Sequence, residues 1–220
     1  MILQIADVLS APEVAALRAA VADDALWIDG VGTAKGRARA AKNNEQAVAD
    51  GPAVRGALSK ISQAILSNAT IAAAAQPAAL ARLMLSRYRP GMSYGAHVDA
   101  PYIDGVRTDV SFTLFLSEPS DYDGGELVID TAGAEDAVKL AAGSLVLYPA
   151  TSVHRVEEVT RGERLAAVGW IKSRIRQAEN RALLFELESA IADLDAAGAP
   201  VPTRDRLINL RNNLLRTFGD

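Results

Sequence analysis

Few residues in this chain could hold a reactive metal, and they lie close together. There are two histidines, His97 and His154, and no cysteine. His97 stands two residues before Asp99. On an extended strand that spacing puts both side chains on one face, roughly 7 Å apart along the chain. Two imidazole nitrogens and one carboxylate oxygen on one side of a metal leave its other positions open, as in non-haem Fe(II) sites that handle dioxygen. A lone His-x-Asp pair is weak evidence. With 27 acids in 220 residues, roughly one histidine in eight meets an acid two positions on. Taken singly, each histidine also fits a half-buried strand position bonded to a neighbour. Both histidines fall in one constellation, however, and that favours the ligand reading.

Arg164 follows ten residues after His154, beyond the turn at Arg161-Gly162. Its alternation partners are Ala166, Val168 and Trp170, a largely apolar face. An arginine aimed into such a face needs a buried anion, and its planar fork suits a carboxylate held bidentately. On an edge strand it would instead be a surface residue, as Arg155, Arg161 and Arg174 are expected to be. Tyr88 and Tyr94 lead into the metal-binding stretch. Each can be a half-buried strand tyrosine or a phenol that bonds a bound keto-acid. Asp109, Asp121, Asp123 and Glu126 read as solvated turn acids, with Glu126 a weak substitute ligand.

The elements that must position these groups change character along the chain. Ile2-Leu3-Gln4-Ile5 reads as a short strand. Ser10-Ala-Pro-Glu13 is a capping box that starts a helix reaching about residue 22, with Val14, Leu17 and Val21 inward. Trp27 to Gln46 is polar and glycine-dotted, which fits a surface loop; the functional alternative is a loop or strand at a site mouth. Residues 52–68 give a second helix with Val54, Leu58, Ile61, Ile65 and Leu66 inward. From about residue 80 the period becomes alternating. Eight strands are expected, at 82–88, 94–99, 108–117, 125–130, 136–140, 143–148, 153–159 and 163–172, separated by Gly, Pro, Asp and Ser. Eight short antiparallel strands at this spacing point to a double-sheet jelly roll, mainly β with flanking helices. In it the His97 and His154 strands can lie side by side. Residues 175–196 return to helix, with Ala182, Leu183, Leu187, Ile191 and Leu194 on one stripe. Residues 203–217 form a last helix with Leu207, Leu210 and Leu214 apolar. The division expected is a supporting region at 1–79, a jelly-roll core at 80–174 and a helical appendage at 175–220. The apolar stripes of that appendage need a partner surface, either the core or a second subunit in a homodimer.

Composition narrows the rest. Net charge is −4 and no basic run stands out, so nucleic acid is not an expected partner. Without cysteine there are no disulfides, thiolate nucleophiles or iron–sulfur clusters. No signal peptide and no apolar run of membrane-spanning length is read, so the expected location is the cytoplasm.

Several motifs resemble those of bacterial PKHD-type hydroxylases, the prolyl/lysyl-hydroxylase-like branch of the Fe(II)/2-oxoglutarate dioxygenases. They are Arg87-Tyr-Arg-Pro-Gly-Met-Ser-Tyr-Gly-Ala-His-Val-Asp99, Gly124-Gly-Glu-Leu-Val-Ile129, Gly143-Ser-Leu-Val-Leu-Tyr-Pro-Ala-Thr-Ser-Val-His-Arg155, Val159-Thr-Arg-Gly-Glu-Arg164 and Trp170-Ile-Lys-Ser173. The likeness extends to Lys42-Asn-Asn-Glu-Gln46 and Arg181-Ala-Leu-Leu-Phe185. It implies that His97, Asp99 and His154 bind Fe(II), and that Arg164 grips the distal carboxylate of 2-oxoglutarate. It implies that Tyr88 contacts this co-substrate. Some relatives carry a further tyrosine on the third core strand; here the stretch reads Ser111-Phe-Thr-Leu-Phe115, and Thr113 is the hydroxyl available instead. The resemblance also implies dioxygen and ascorbate, and hydroxylation of an unidentified primary substrate with release of succinate and CO2. The competing readings are a non-catalytic metal-binding sensor module and a cupin-type hydrolase. Neither needs an arginine aimed into the barrel.

Overall fold

The computed structural model describes residues 1–33, 39–131 and 133–220. Residues 34–38 of the polar stretch, and position 132, lie outside them. The described elements are β1 (Leu3–Ile5), α1 (Ala11–Ala20), β2 (Trp27–Asp29), β3 (Lys42–Asn43), β4 (Glu45–Ala47), α2 (Pro52–Ser67), α3 (Ala69–Ala75), β5 (Pro77–Tyr88), β6 (Ser93–His97), β7 (Tyr102–Ile103), β8 (Val106–Arg107), β9 (Val110–Phe115), β10 (Tyr122–Gly124), β11 (Leu127–Asp130), β12 (Glu135–Val138), β13 (Leu145–Pro149), β14 (His154–Val156), β15 (Val159–Gly162), β16 (Arg164–Ser173), α4 (Ala178–Ala196) and α5 (Val201–Phe218).

Two sheets form the jelly-roll core. One has seven strands in the order β1-β13-β9-β16-β5-β4-β2, the other five in the order β12-β11-β14-β6-β3. Short ribbons β10-β15 and β7-β8 complete it. The period-2 alternation of the large sheet divides its side chains between two cores. Leu85, Phe112, Leu114, Leu145, Leu147, Leu165, Ala167 and Ile171 face outward and pack with Val14, Leu17, Val54, Ile61, Ile65 and Ile71 of α1, α2 and α3. Tyr88, Phe115, Val146 and Tyr148 face the other sheet and meet Leu127, Ile129 and Val156. Three helices therefore cover the outer face of one sheet.

Local chemistry sets the helix ends. The Ser10 backbone N–H and hydroxyl both donate to the Glu13 carboxylate, at 2.8 and 2.6 Å, at the start of α1. Asn68 Oδ1 accepts from the Ile71 N–H at 3.0 Å and starts α3, an alanine-rich helix that periodicity did not reveal. In α2, Ala57 is buried and Leu66 is exposed, so the apolar stripe is rotated from the expected one.

The largest departure is at the N-terminal polar stretch. It contributes three strands rather than a surface loop. β2 and β4 extend the large sheet, and β3 pairs with β6 of the small one. Lys42, Asn44 and Gln46 are buried there. Polar side chains hid the strands because they line the cavity instead of an apolar core. Asp109 also departs from expectation. Its nearly buried carboxylate accepts from Arg107 Nε at 2.8 Å and from the Ser173 N–H at 2.8 Å, which tethers the end of β16.

In the C-terminal pair, α4 buries Arg181, Leu184 and Ile191. Arg181 Nη1 donates to the carbonyls of Ile175 and Arg176 at 2.8 and 2.9 Å. Leu183, expected on the inner stripe, is 58% exposed. Leu184→Ala is therefore expected to destabilise the protein by about 2–5 kcal/mol, against less than about 0.5 kcal/mol for Leu183→Ala. Urea unfolding of both variants checks this; equal midpoints would contradict the phase of α4.

Candidate active site

Antiparallel pairing of β6 with β14 sets His97 directly opposite His154. Their rings lie 4.3 Å apart between centroids. Asp99 lies two residues past the end of β6, rather than on the strand as its spacing suggested. Its carboxylate still turns back, with Oδ1 3.8 Å from His154 Nε2. One ligand atom from each of His97, Asp99 and His154 falls within 4.8 Å of the others. His97 Nδ1 is 2.9 Å from the Gly95 carbonyl and His154 Nδ1 is 3.1 Å from the Ser152 carbonyl. A carbonyl oxygen only accepts, so both Nδ1 atoms carry a proton and Nε2 is the atom each ring can offer a metal. Burial, and then the neighbouring His154, pushes the His97 imidazole down to about 4. A neutral imidazole is the form that ligates metal.

Of the supporting groups, Ser111 and Tyr148 were not read from the sequence. Ser111 Oγ donates to Asp99 Oδ2 at 2.6 Å. Tyr94 stacks on His97 at 3.7 Å and 18°, and the Tyr148 edge meets His154 at 5.0 Å. Burial raises the Tyr148 phenol well above the usual range. Serine and threonine alternating with phenylalanine on β9 was the available signal for Ser111. Glu126, the weak substitute ligand, sits 3.6 Å from Lys139 instead and does not line the cavity.

Arg164 is 1% exposed and the largest of the fully buried side chains. It starts β16, opposite Tyr88 on β5. Its guanidinium lies 5.2 Å from the Tyr88 ring centre and 5.4 Å from that of Phe115. Among the described residues Nε and Nη2 have no hydrogen-bond partner that meets normal geometry, and the buried Tyr122 hydroxyl lies beside the guanidinium. Gly125 makes room for both side chains. A Cβ there would lie 3.1 Å from Arg164 Cδ and 3.1 Å from Tyr122 Cε2, at a φ of +67° that favours glycine. Two donors on a buried cation among ring faces suit pairing with an anion such as a carboxylate.

His97, Asp99, His154, Arg164, Tyr88 and Thr113 all line one cavity of about 430 Å³. That volume is in the range of small-molecule sites. The sequence grouped His97, Asp99 and His154 as one metal site with Arg164, Tyr88 and Thr113 at its co-substrate, and the fold places all six on one cavity.

The chain is 44% identical over 220 residues, all of both proteins, to a PKHD-type hydroxylase of Parvibaculum lavamentivorans. It is 42% identical over 220 residues, again all of both, to one of Acaryochloris marina. The chain belongs to the PKHD-type hydroxylases. Residues 83–172, which hold all six cavity residues, match the 2OG-Fe(II) oxygenase superfamily. Among solved structures it is similar to a Pseudomonas putida prolyl-4-hydroxylase, with 27% identity and a TM-score of 0.58 over 79% of this chain and 92% of that one. A Trichoplax adhaerens prolyl hydroxylase shares the fold, with a TM-score of 0.59 at 15% identity over 77% of this chain and 83% of that one. Membership implies an Fe(II)- and 2-oxoglutarate-dependent dioxygenase. The donor set fits that metal: two imidazoles and a carboxylate gathered at one wall of the cavity. No helix among the described residues is long and apolar enough to cross a membrane.

Ser111 orients the carboxylate that this donor set needs. Ser111→Ala is expected to weaken Fe(II) binding roughly 10- to 100-fold, while His97→Ala or His154→Ala abolishes it with the fold intact. Anaerobic metal titration with circular dichroism as the fold control checks both; full stoichiometry in either histidine variant would contradict the triad.

Proposed function

We propose that this chain hydroxylates an unactivated C–H bond of a primary substrate, coupled to oxidative decarboxylation of 2-oxoglutarate. Dioxygen is split between the products: one oxygen atom enters succinate as CO2 leaves, the other becomes the substrate hydroxyl. His97, Asp99 and His154 hold Fe(II), which when bound supplies the redox chemistry with dioxygen. The observation that carries the reading is Arg164, a buried guanidinium with two unbonded donors on the cavity that contains the triad. A sensor module or a cupin-type hydrolase has no use for it.

The protein's own groups then act as follows. Arg164 takes the distal carboxylate of 2-oxoglutarate through Nε and Nη2. Tyr88 and Thr113 line the same end and offer hydroxyls beside it. Ser111 holds Asp99 in a fixed orientation, and the Gly95 and Ser152 carbonyls fix the histidine tautomers. Leu127, Val156 and Val168 keep the space between them apolar and dry. Ascorbate is assigned the role of re-reducing iron after turnover without substrate.

The reading extends to organisation. Residues 80–174 form the catalytic core, 1–79 support it and 175–220 form a helical appendage. Leu183 and Leu210 stay exposed on that appendage, which supports a homodimer contact there. The lack of cysteine fits a cytoplasmic location.

A hydrogen bond to a charged group contributes about 1.5–3 kcal/mol, and a bidentate pair lies at the strong end. Arg164→Ala is expected to weaken 2-oxoglutarate roughly 10- to 200-fold. Arg164→Lys falls between, since it keeps charge but loses the fork. Anaerobic titration of the Fe(II)–2-oxoglutarate charge-transfer absorbance measures this; equal affinities in all three proteins would place the carboxylate elsewhere.

A further inference from the structure

A second buried cation lies on the same cavity. Lys42 on β3, Asn44 at the junction and Gln46 on β4 alternate along the chain with all three side chains lining it. The row passes from one sheet to the other. Lys42 pairs with Tyr94 on β6, in the sheet of the histidines, and Gln46 with Ser86 on β5, in the sheet of Arg164. Lys42 is 8% exposed. Its Nζ donates to Thr33 Oγ1 at 2.8 Å and lies 5.2 Å from the centre of the Tyr94 ring, which stacks on His97.

Among the described residues Lys42 has no ion-pair partner. Residues 34–38 contain no acid that could supply one. Asp29 and Asp99 act on it only at longer range, and burial pushes its ammonium down to about 8. A buried ammonium with donors to spare costs free energy unless an anion meets it. Among the described residues three further polar atoms of cavity-lining side chains are buried without partners, Asn44 Oδ1, Gln46 Oε1 and Trp170 Nε1. Of these, Asn44 Oδ1 is packed over Gly30, while Asn44 Nδ2 faces Ser86.

The charges can be assigned on the reading proposed above. 2-Oxoglutarate has two carboxylates, one used by its keto-acid end at the metal and one by Arg164. Lys42 is then left over, on the side of the triad reached through Tyr94. We propose that Lys42 anchors a carboxylate of the primary substrate, with Gln46 and Trp170 bonding its neighbouring polar groups. The substrate class is a free α-amino acid. An interior residue of a polypeptide brings neutral amides to this wall and leaves the ammonium unmatched. The inference rests on the dioxygenase reading and adds the substrate's charge to it.

The test uses the anaerobic Fe(II)–2-oxoglutarate holoenzyme. The probes are the twenty free L-amino acids and the same residues as N-acetyl carboxamides. Binding is read from the perturbed charge-transfer absorbance, and succinate formation is read after oxygen is admitted. At least one free amino acid is expected to bind and to stimulate succinate formation, with its carboxamide at least about 10-fold weaker. Lys42→Met should weaken that acid roughly 10- to 100-fold and leave the carboxamide's affinity unchanged, and Lys42→Arg should retain the preference for the acid. Carboxamides that bind as well as the acids, an acid affinity equal in wild type and Lys42→Met, or a panel in which no free amino acid perturbs the absorbance would each overturn the assignment. Failure of the wild type to form the charge-transfer band would instead remove the dioxygenase reading on which it rests.

Discussion

A guanidinium buried without a counter-charge is the constraint on which the site depends. Arg164 enters the space between the sheets from the first position of β16, the strand between β9 and β5 in the large sheet. Its neighbours do not neutralise it; Tyr88 and Phe115 offer ring faces. Ring faces soften the cost of burying a cation but do not meet its hydrogen bonds. Such a group persists in a fold when a ligand completes it. Gly125, which alone leaves room for the Arg164 and Tyr122 side chains, belongs to the same provision. The Gly-Gly pair at 124–125 is thus tied to the arginine although 39 positions separate Gly125 from Arg164 in the chain.

The opposite end depends on strand register. His97 and His154 meet because they are cross-strand partners, and the Gly95 and Ser152 carbonyls two residues back turn each Nε2 to the same side. A slip of one residue in β6 would carry His97 to the other face and dissolve the triad. The two ends sit on different sheets, so cavity shape depends on how the sheets are held. β3 and β4 join them directly, with one strand paired into each. That short polar segment is therefore part of the architecture as well as of the cavity wall.

The sequence revealed much of this, for physical reasons. All eight expected core strands occur, four in each sheet, because each sheet turns one face of its alternating side chains into a core. Arg164 could be placed from the same alternation, since Ala166, Val168 and Trp170 share its face. The histidines were conspicuous because there are only two. What escaped was polar or phase-sensitive. Lys42, Asn44 and Gln46 carry no apolar signature, because they line the cavity rather than pack into a core. Tyr122 lies between two turn acids and gives no hint that its ring is buried beside Arg164. Ser111 bonds Asp99 across a gap of twelve residues that no local pattern records. Leu183 and Leu184 are adjacent, and only the packing of α4 decides which of them turns inward.

The central claim is that one cavity holds a metal at His97, Asp99 and His154 and a carboxylate at Arg164. The most direct measurement is an anaerobic crystal structure with Mn(II) in place of Fe(II) and 2-oxoglutarate bound. The account predicts a single metal ligated by those three side chains, with the distal carboxylate of 2-oxoglutarate within hydrogen-bond distance of Arg164 Nε and Nη2. A metal held elsewhere, or a 2-oxoglutarate whose distal carboxylate leaves those two donors unpaired, would contradict it.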